Sequence, residues 1–146
     1  MTHLLIDTSV LIKWFHAAGE AEVDQARAVL RAHVAGDVEA HILDLAAYEL
    51  GNVLIRALRW DPVSVADQLD DLRTIVGTPL VMTADWLRHA ALLARRHQLT
   101  FYDACWAATA ERLGMTLVSA DQRLIDAALA ESPTATVSRL RLDPAS

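Results

Sequence analysis

Short runs of consecutive apolar residues alternate with longer stretches of helical periodicity from one end of this chain to the other. The runs are HLLID at 3–7, VEAHIL at 38–43, PLVM at 79–82, MTLV at 115–118 and ATVS at 135–138. A strand that is apolar at successive positions has no face to give to water, so it must be covered on both sides. Between the runs, Val10, Leu11, Trp14, Phe15 and Ala18 share one helical stripe, as do Val23, Ala26, Leu30 and Val34, and then Ala47, Leu50, Leu54 and Leu58. Asp61 and Pro62 read as an N-cap and first turn ahead of Val65, Leu69, Leu72 and Val76. Thr83 reads as the cap of a helix carrying Leu87, Ala91 and Ala94. A sixth helix is expected from about Phe101 to Leu113, stopped by Gly114, and a seventh from near Asp121 with Leu124, Ala128 and Leu129. Strands separated by helices over the whole length predict an α/β sandwich of three layers, with a mostly parallel five-stranded sheet and helices on both faces. No repeat or linker divides the 146 residues, so one domain over 1–146 is expected.

Composition narrows the function classes. The single cysteine, Cys105, closes no internal disulfide and builds no cysteine zinc site, and no basic-then-apolar leader opens the chain. A reducing, cytoplasmic setting is the expectation. A bilayer span takes about 20 apolar residues, far more than any run here, so no membrane role is expected. The net charge of -6 argues against a passive nucleic-acid coat, which gains affinity through a basic surface. It does not argue against a nuclease, because acids gathered around a metal ion account for much of that sum. All but one of the 13 cations, Lys13, are arginines, the residue better suited to phosphate.

Four acids fall at telling places. Asp7 ends the first strand, Glu49 lies in the helix after the second, Asp103 opens the sixth helix, and Asp121 follows the fourth strand. In a parallel sheet the linking helices run back against the strands, so helix starts and strand ends meet at the carboxyl edge, where such folds bind ligands. Carboxylates gathered there repel one another and take up protons unless a cation balances them. Mg²⁺ or Mn²⁺ is the natural balance, since both prefer oxygen donors, whereas zinc recruits His or Cys. The six histidines, at 3, 16, 33, 41, 89 and 97, show no paired ligand spacing such as HExxH. A bound ion can orient water, lower its pKa and stabilise charge developing on phosphate, which is the chemistry of phosphodiester cleavage. Taken singly, each acid has another explanation. Asp103 completes the capping-box pattern Thr100-Phe-Tyr-Asp103, Asp121 suits a helix first turn, and Glu49 shares a face with Asn52 and Arg56. The case rests on the four together.

The segments LLIDTSVLIKWF at 4–15, YELGNVLIRAL at 48–58 and LTFYDACWAATAERLGMTLVSAD at 99–121, followed by QRLI, resemble the PIN-domain nucleases, and among them the VapC-like toxins of bacterial type II toxin–antitoxin pairs. The resemblance runs along the whole chain. It implies a PIN-like sandwich and Mg²⁺- or Mn²⁺-dependent endoribonuclease activity. By motif match, Asp7, Glu49, Asp103 and Asp121 stand at the family's acidic quartet, with Ser119 at the small hydroxyl position before the last acid and Thr8 and Ser9 in the polar turn after the first. In the expected mechanism Asp7 and Asp103 hold the principal ion, Asp121 completes the metal site and Glu49 positions or deprotonates the attacking water. The implied partners are RNA, a cognate antitoxin that fills an apolar groove near the first two helices and occludes the acids, and a second copy of the chain. Arg56, Arg59, Arg95, Arg96 and Arg123 are further phosphate-contact candidates. Two other readings compete: a PIN-like scaffold that binds RNA or protein without cutting, and a phosphotransfer or phosphatase domain. The latter fits less well, because the phosphatase pattern wants a second Asp two after the strand end, where Ser9 stands.

Overall fold

A computed structural model of the chain describes residues 1–144. Among these residues the sheet has three parallel strands, β1 (Thr2–Ile6), β2 (Val38–His41) and β3 (Thr116–Val118), in the order β2-β1-β3. β1 is the central strand. Leu4, Leu5 and Ile6 point alternately to opposite faces and all are fully buried, so helices cover the sheet on both sides, as a continuous apolar run requires.

Eight α-helices among the described residues surround it: α1 (Thr8–Phe15), α2 (Val23–Ala35), α3 (Leu45–Asn52), α4 (Pro62–Val76), α5 (Ala84–His97), α6 (Phe101–Leu113), α7 (Gln122–Asp126) and α8 (Pro133–Leu140). A π-helical turn, Val53–Ala57, continues α3. The predicted caps are in place: Asp61 accepts from the Ser64 N–H, Thr83 from that of Trp86 and Thr100 from that of Asp103. Gly114 ends α6 at φ +66°, a left-handed conformation that glycine adopts without strain. α6 is buried from Ala104 to Ala110, and small residues let it lie close to β3 and α5. The stripe on α1 is core: Leu11 and Trp14 are buried, and the Trp14 indole donates to the Ala26 carbonyl 2.9 Å away. Ala18 lies beyond that helix.

The expectation of five strands is corrected to three. The 79–82 segment contributes a single parallel bridge, Leu43↔Leu80, through Leu80 N–H to the Ile42 carbonyl and Asp44 N–H to the Leu80 carbonyl. Pro79 has no N–H to give, and Thr83 already belongs to a helix cap, which leaves no room for a longer ladder. The 135–138 segment is helical, inside α8. Ser132 accepts from the Ala135 N–H and Pro133 occupies the first helical position, a start signal stronger than the β preference of Thr134, Thr136 and Val137. Beside β3 the bridge is made instead by Glu131, with Val118.

Candidate active site

Asp7 leaves β1 at the carboxyl edge and starts α1. Its backbone N–H extends the ladder to the Val118 carbonyl, and its own carbonyl accepts from Val10 and Leu11. The side chain is 5% exposed, and burial raises its pKa to about 6. Hydrogen bonds from Ser119 and Ser9 act in the opposite sense, and the Glu49 charge adds to the rise. Ser9 ties the edge together: its hydroxyl donates to Asp7 and accepts from the Ala120 N–H at 2.9 Å. Ser119, fully buried, accepts from the Asp121 N–H at 3.0 Å.

Glu49 lies on α3. Its Oε1 accepts from the Thr8 hydroxyl and from the Trp106 indole, each at 3.0 Å, which leaves Oε2 for another partner. The carboxylate therefore faces Asp7's turn and α6, and the alternative of a Glu49–Arg56 surface pair is set aside. Asp103, one turn before Trp106 on α6, is half-buried. Burial first and the neighbouring Asp121 second raise its pKa, against a Thr100 hydrogen bond and Arg123. Asp121 caps α7 by accepting from the Arg123 N–H at 2.9 Å. Arg123, one of the arginines proposed from sequence for phosphate, reaches 3.8 Å from Asp103 and 3.6 Å from Asp121 with its side chain 65% exposed.

All four acids thus come to one edge, from four different elements, as two electrostatic pairs: Asp7 with Glu49 and Asp103 with Asp121. They form a looser group than one tight cluster, because among the described residues no three of them bring an oxygen each within 4.8 Å of the others. Ser9, Ser119 and Trp106 join the pairs. Sequence reasoning did not single out Trp106; an indole that needs a partner when buried was its only signal. The donors are carboxylate and hydroxyl oxygens without imidazole. The Cys105 thiol nearby is pushed up by burial and by Glu49, and so keeps its proton. Such a set fits a hard divalent cation and does not fit zinc. An ion there would also offset the cost of holding Asp7 ionised out of water.

The model of the PIN domain family matches residues 4–129. Ribonuclease VapC3 of Pyrobaculum aerophilum is 35% identical over 129 residues, covering 84% of this chain and 92% of that protein. Exonuclease VapC9 of the same organism is 34% identical over 84 residues, covering 58% of this chain and 63% of its own. The crystal structure of PAE2754, also from Pyrobaculum aerophilum, superposes with a TM-score of 0.67 at 26% identity and covers 96% of both chains. With the family's model matched across both acidic pairs and both strands that carry Asp7 and Asp121, this chain belongs to the PIN domain family.

Proposed function

We propose that the chain is a Mg²⁺- or Mn²⁺-dependent endoribonuclease, folded as one PIN domain over 1–146, that serves as the toxic component of a type II toxin–antitoxin system. The observation that carries this reading is the convergence of Asp7, Glu49, Asp103 and Asp121 on one sheet edge, with Asp7 buried and short of compensating charge. Similarity to proteins named for RNA cleavage and for VapC supports it.

In this reading Asp7, Asp103 and Asp121 hold the ion. When bound, the ion supplies charge stabilisation at the phosphate and acidifies water. Asp7 must give up its proton to bind, so affinity rises with pH through about 6. Glu49, fixed through Oε1 by Thr8 and Trp106, directs Oε2 at the attacking water and takes its proton as that water adds in line to phosphorus. Arg123 is exposed enough to leave its carboxylates and meet an RNA phosphate once a cation replaces it.

The partners follow from the same charges. A cognate antitoxin that inserts an arginine among the carboxylates would supply the balancing charge without metal and block RNA. A homodimer and a cytoplasmic location complete the proposal. No helix among the described residues is long and apolar enough to cross a membrane.

The test is digestion of total cellular RNA with end mapping, comparing wild type, Asp103→Asn, and wild type in excess EDTA. Internal cuts in wild type alone are expected, restored by Mg²⁺ or Mn²⁺ after chelation. Full-rate cutting in EDTA would overturn the metal requirement, and undiminished cutting by Asp103→Asn would overturn the site. Growth arrest on lone expression, relieved by the antitoxin, tests the toxin role separately.

A further inference from the structure

A second group of donors lies on the sheet itself, about 13 Å along β1 from Asp7 at strand rise. His3 of β1 stands in register with Glu39 of β2, and His41 follows two residues later, on the same side of β2. His3 Nδ1 lies 2.9 Å from His41 Nε2 and 3.5 Å from Glu39 Oε2. One donor atom from each of the three falls within 4.8 Å of the other two, and no other such set of three occurs among the described residues.

We infer that His3, Glu39 and His41 form a second metal site, for Zn²⁺ or a similar nitrogen-preferring divalent ion. In tetrahedral zinc sites the metal–ligand bonds of about 2.0–2.2 Å place donors about 3.3–3.6 Å apart; the 3.5 Å from His3 Nδ1 to Glu39 falls in that range, and the 2.9 Å to His41 is shorter, so the rings would part slightly to admit an ion. Two imidazoles and one carboxylate are a recognised ligand set for zinc, whereas the acid edge offers oxygen alone. A proton shared between the rings would satisfy the 2.9 Å contact and an ion pair of His3 with Glu39 the 3.5 Å one, whereas a single ion among the three donors accounts for both. The rings stack at 5.2 Å, so both can turn a nitrogen to one point. Beside them opens a cavity of about 520 Å³ lined by Thr2, His3, His41, Leu113, Gly114 and Thr116. Both imidazoles border it and Glu39 does not, so it gives water access to the two rings. An ion held this way staples β1 to β2 and owes nothing to the nuclease reading.

Chelator-competition titration of the full chain with Zn²⁺, together with thermal unfolding, tests the site. One Zn²⁺ per chain is expected, with the midpoint rising by about 5 °C or more at a hundredfold excess over Kd. His3→Gln and His41→Gln should each weaken binding about a hundredfold or more, while Asp7→Asn keeps it. Because His3 and Glu39 are exposed and His41 half-buried, the variants should fold, which circular dichroism checks. Co²⁺ in place of Zn²⁺ should give visible absorption bands of four-coordinate cobalt in wild type and lose them in His41→Gln. Zinc uptake that survives both histidine variants, or is lost in Asp7→Asn, would assign the ion to the acids and overturn the proposal. No uptake by wild type would overturn it as well and reduce the group to a His–His hydrogen bond.

Discussion

The two donor groups on this sheet are built by opposite means. At the carboxyl edge, four acids arrive from a strand end, the middle of one helix, the first turn of another and a cap. Each is placed by a separate turn or helix start, and hydroxyls tie them together. Toward the start of β1, two adjacent strands set three donors by register alone. The first group is anionic, and its most buried member is held against its own ionisation. The second joins one carboxylate to two imidazoles. A single parallel sheet thereby offers hard-ion chemistry at one end and borderline-ion chemistry beside it, and the two should respond independently to substitution.

The largest effect expected is on the acid edge alone. Glu49→Gln should lower the RNA cleavage rate by about 10² to 10⁴, the usual worth of a positioned general base, while zinc affinity stays within about twofold. A joint loss of both would mean that the two ends are coupled.

Asp7→Asn comes next, with a sign opposite to that of most active-site changes in a folded core. The Asp7 pKa is raised from 3.8 to about 6, so the folded state binds the proton more tightly than the unfolded one. Its contribution is fully present below about pH 4 and lost as pH rises through 6, at about 1.4 kcal/mol for each pH unit between those two values. Without divalent metal at pH 7, the asparagine variant should therefore be more stable by up to about 3 kcal/mol, and the gain should fade toward pH 4. Urea unfolding at both pH values in EDTA measures this; a variant no more stable than wild type at pH 7 would show that the carboxylate is better compensated than its burial implies.

Smaller changes sharpen the contrast. Thr8→Val removes one of the two donors that fix Glu49 Oε1 and should cost about 1 kcal/mol in transition-state positioning, a roughly fivefold slower cleavage at unchanged zinc affinity. Ser132→Ala removes the cap of α8 and belongs to neither donor group. It should lower stability by about 1 kcal/mol and leave cleavage and zinc uptake as they are.

What the sequence disclosed follows from the range of the forces involved. The caps Asp61, Thr83 and Thr100 and the stop at Gly114 are local, and each stood where composition placed it. The edge position of the acids was legible because strand ends and helix starts meet there whatever the strand order. Two strand expectations failed where a local signal had been passed over: Pro79 in one, and Ser132 with Pro133 in the other. The pairing of Asp103 with Asp121, the reach of Trp106 to Glu49 and the meeting of His3 with Glu39 and His41 depend on register or side-chain direction across long separations. The histidines show no paired ligand spacing along the chain, because donors two apart on one strand meet a third only across its neighbour.

The Ser9 clasp has a consequence for biosynthesis. It joins the turn after the first strand to the backbone of Ala120, so the edge closes only once Ala120 has been made. A growing polypeptide that has emerged through α5 already carries Asp7 and Glu49 but lacks Asp103, Asp121 and the strand that aligns them. On the proposed reading, RNA cleavage by the growing chain waits, by chain order, until Asp103 and Asp121 have both been made.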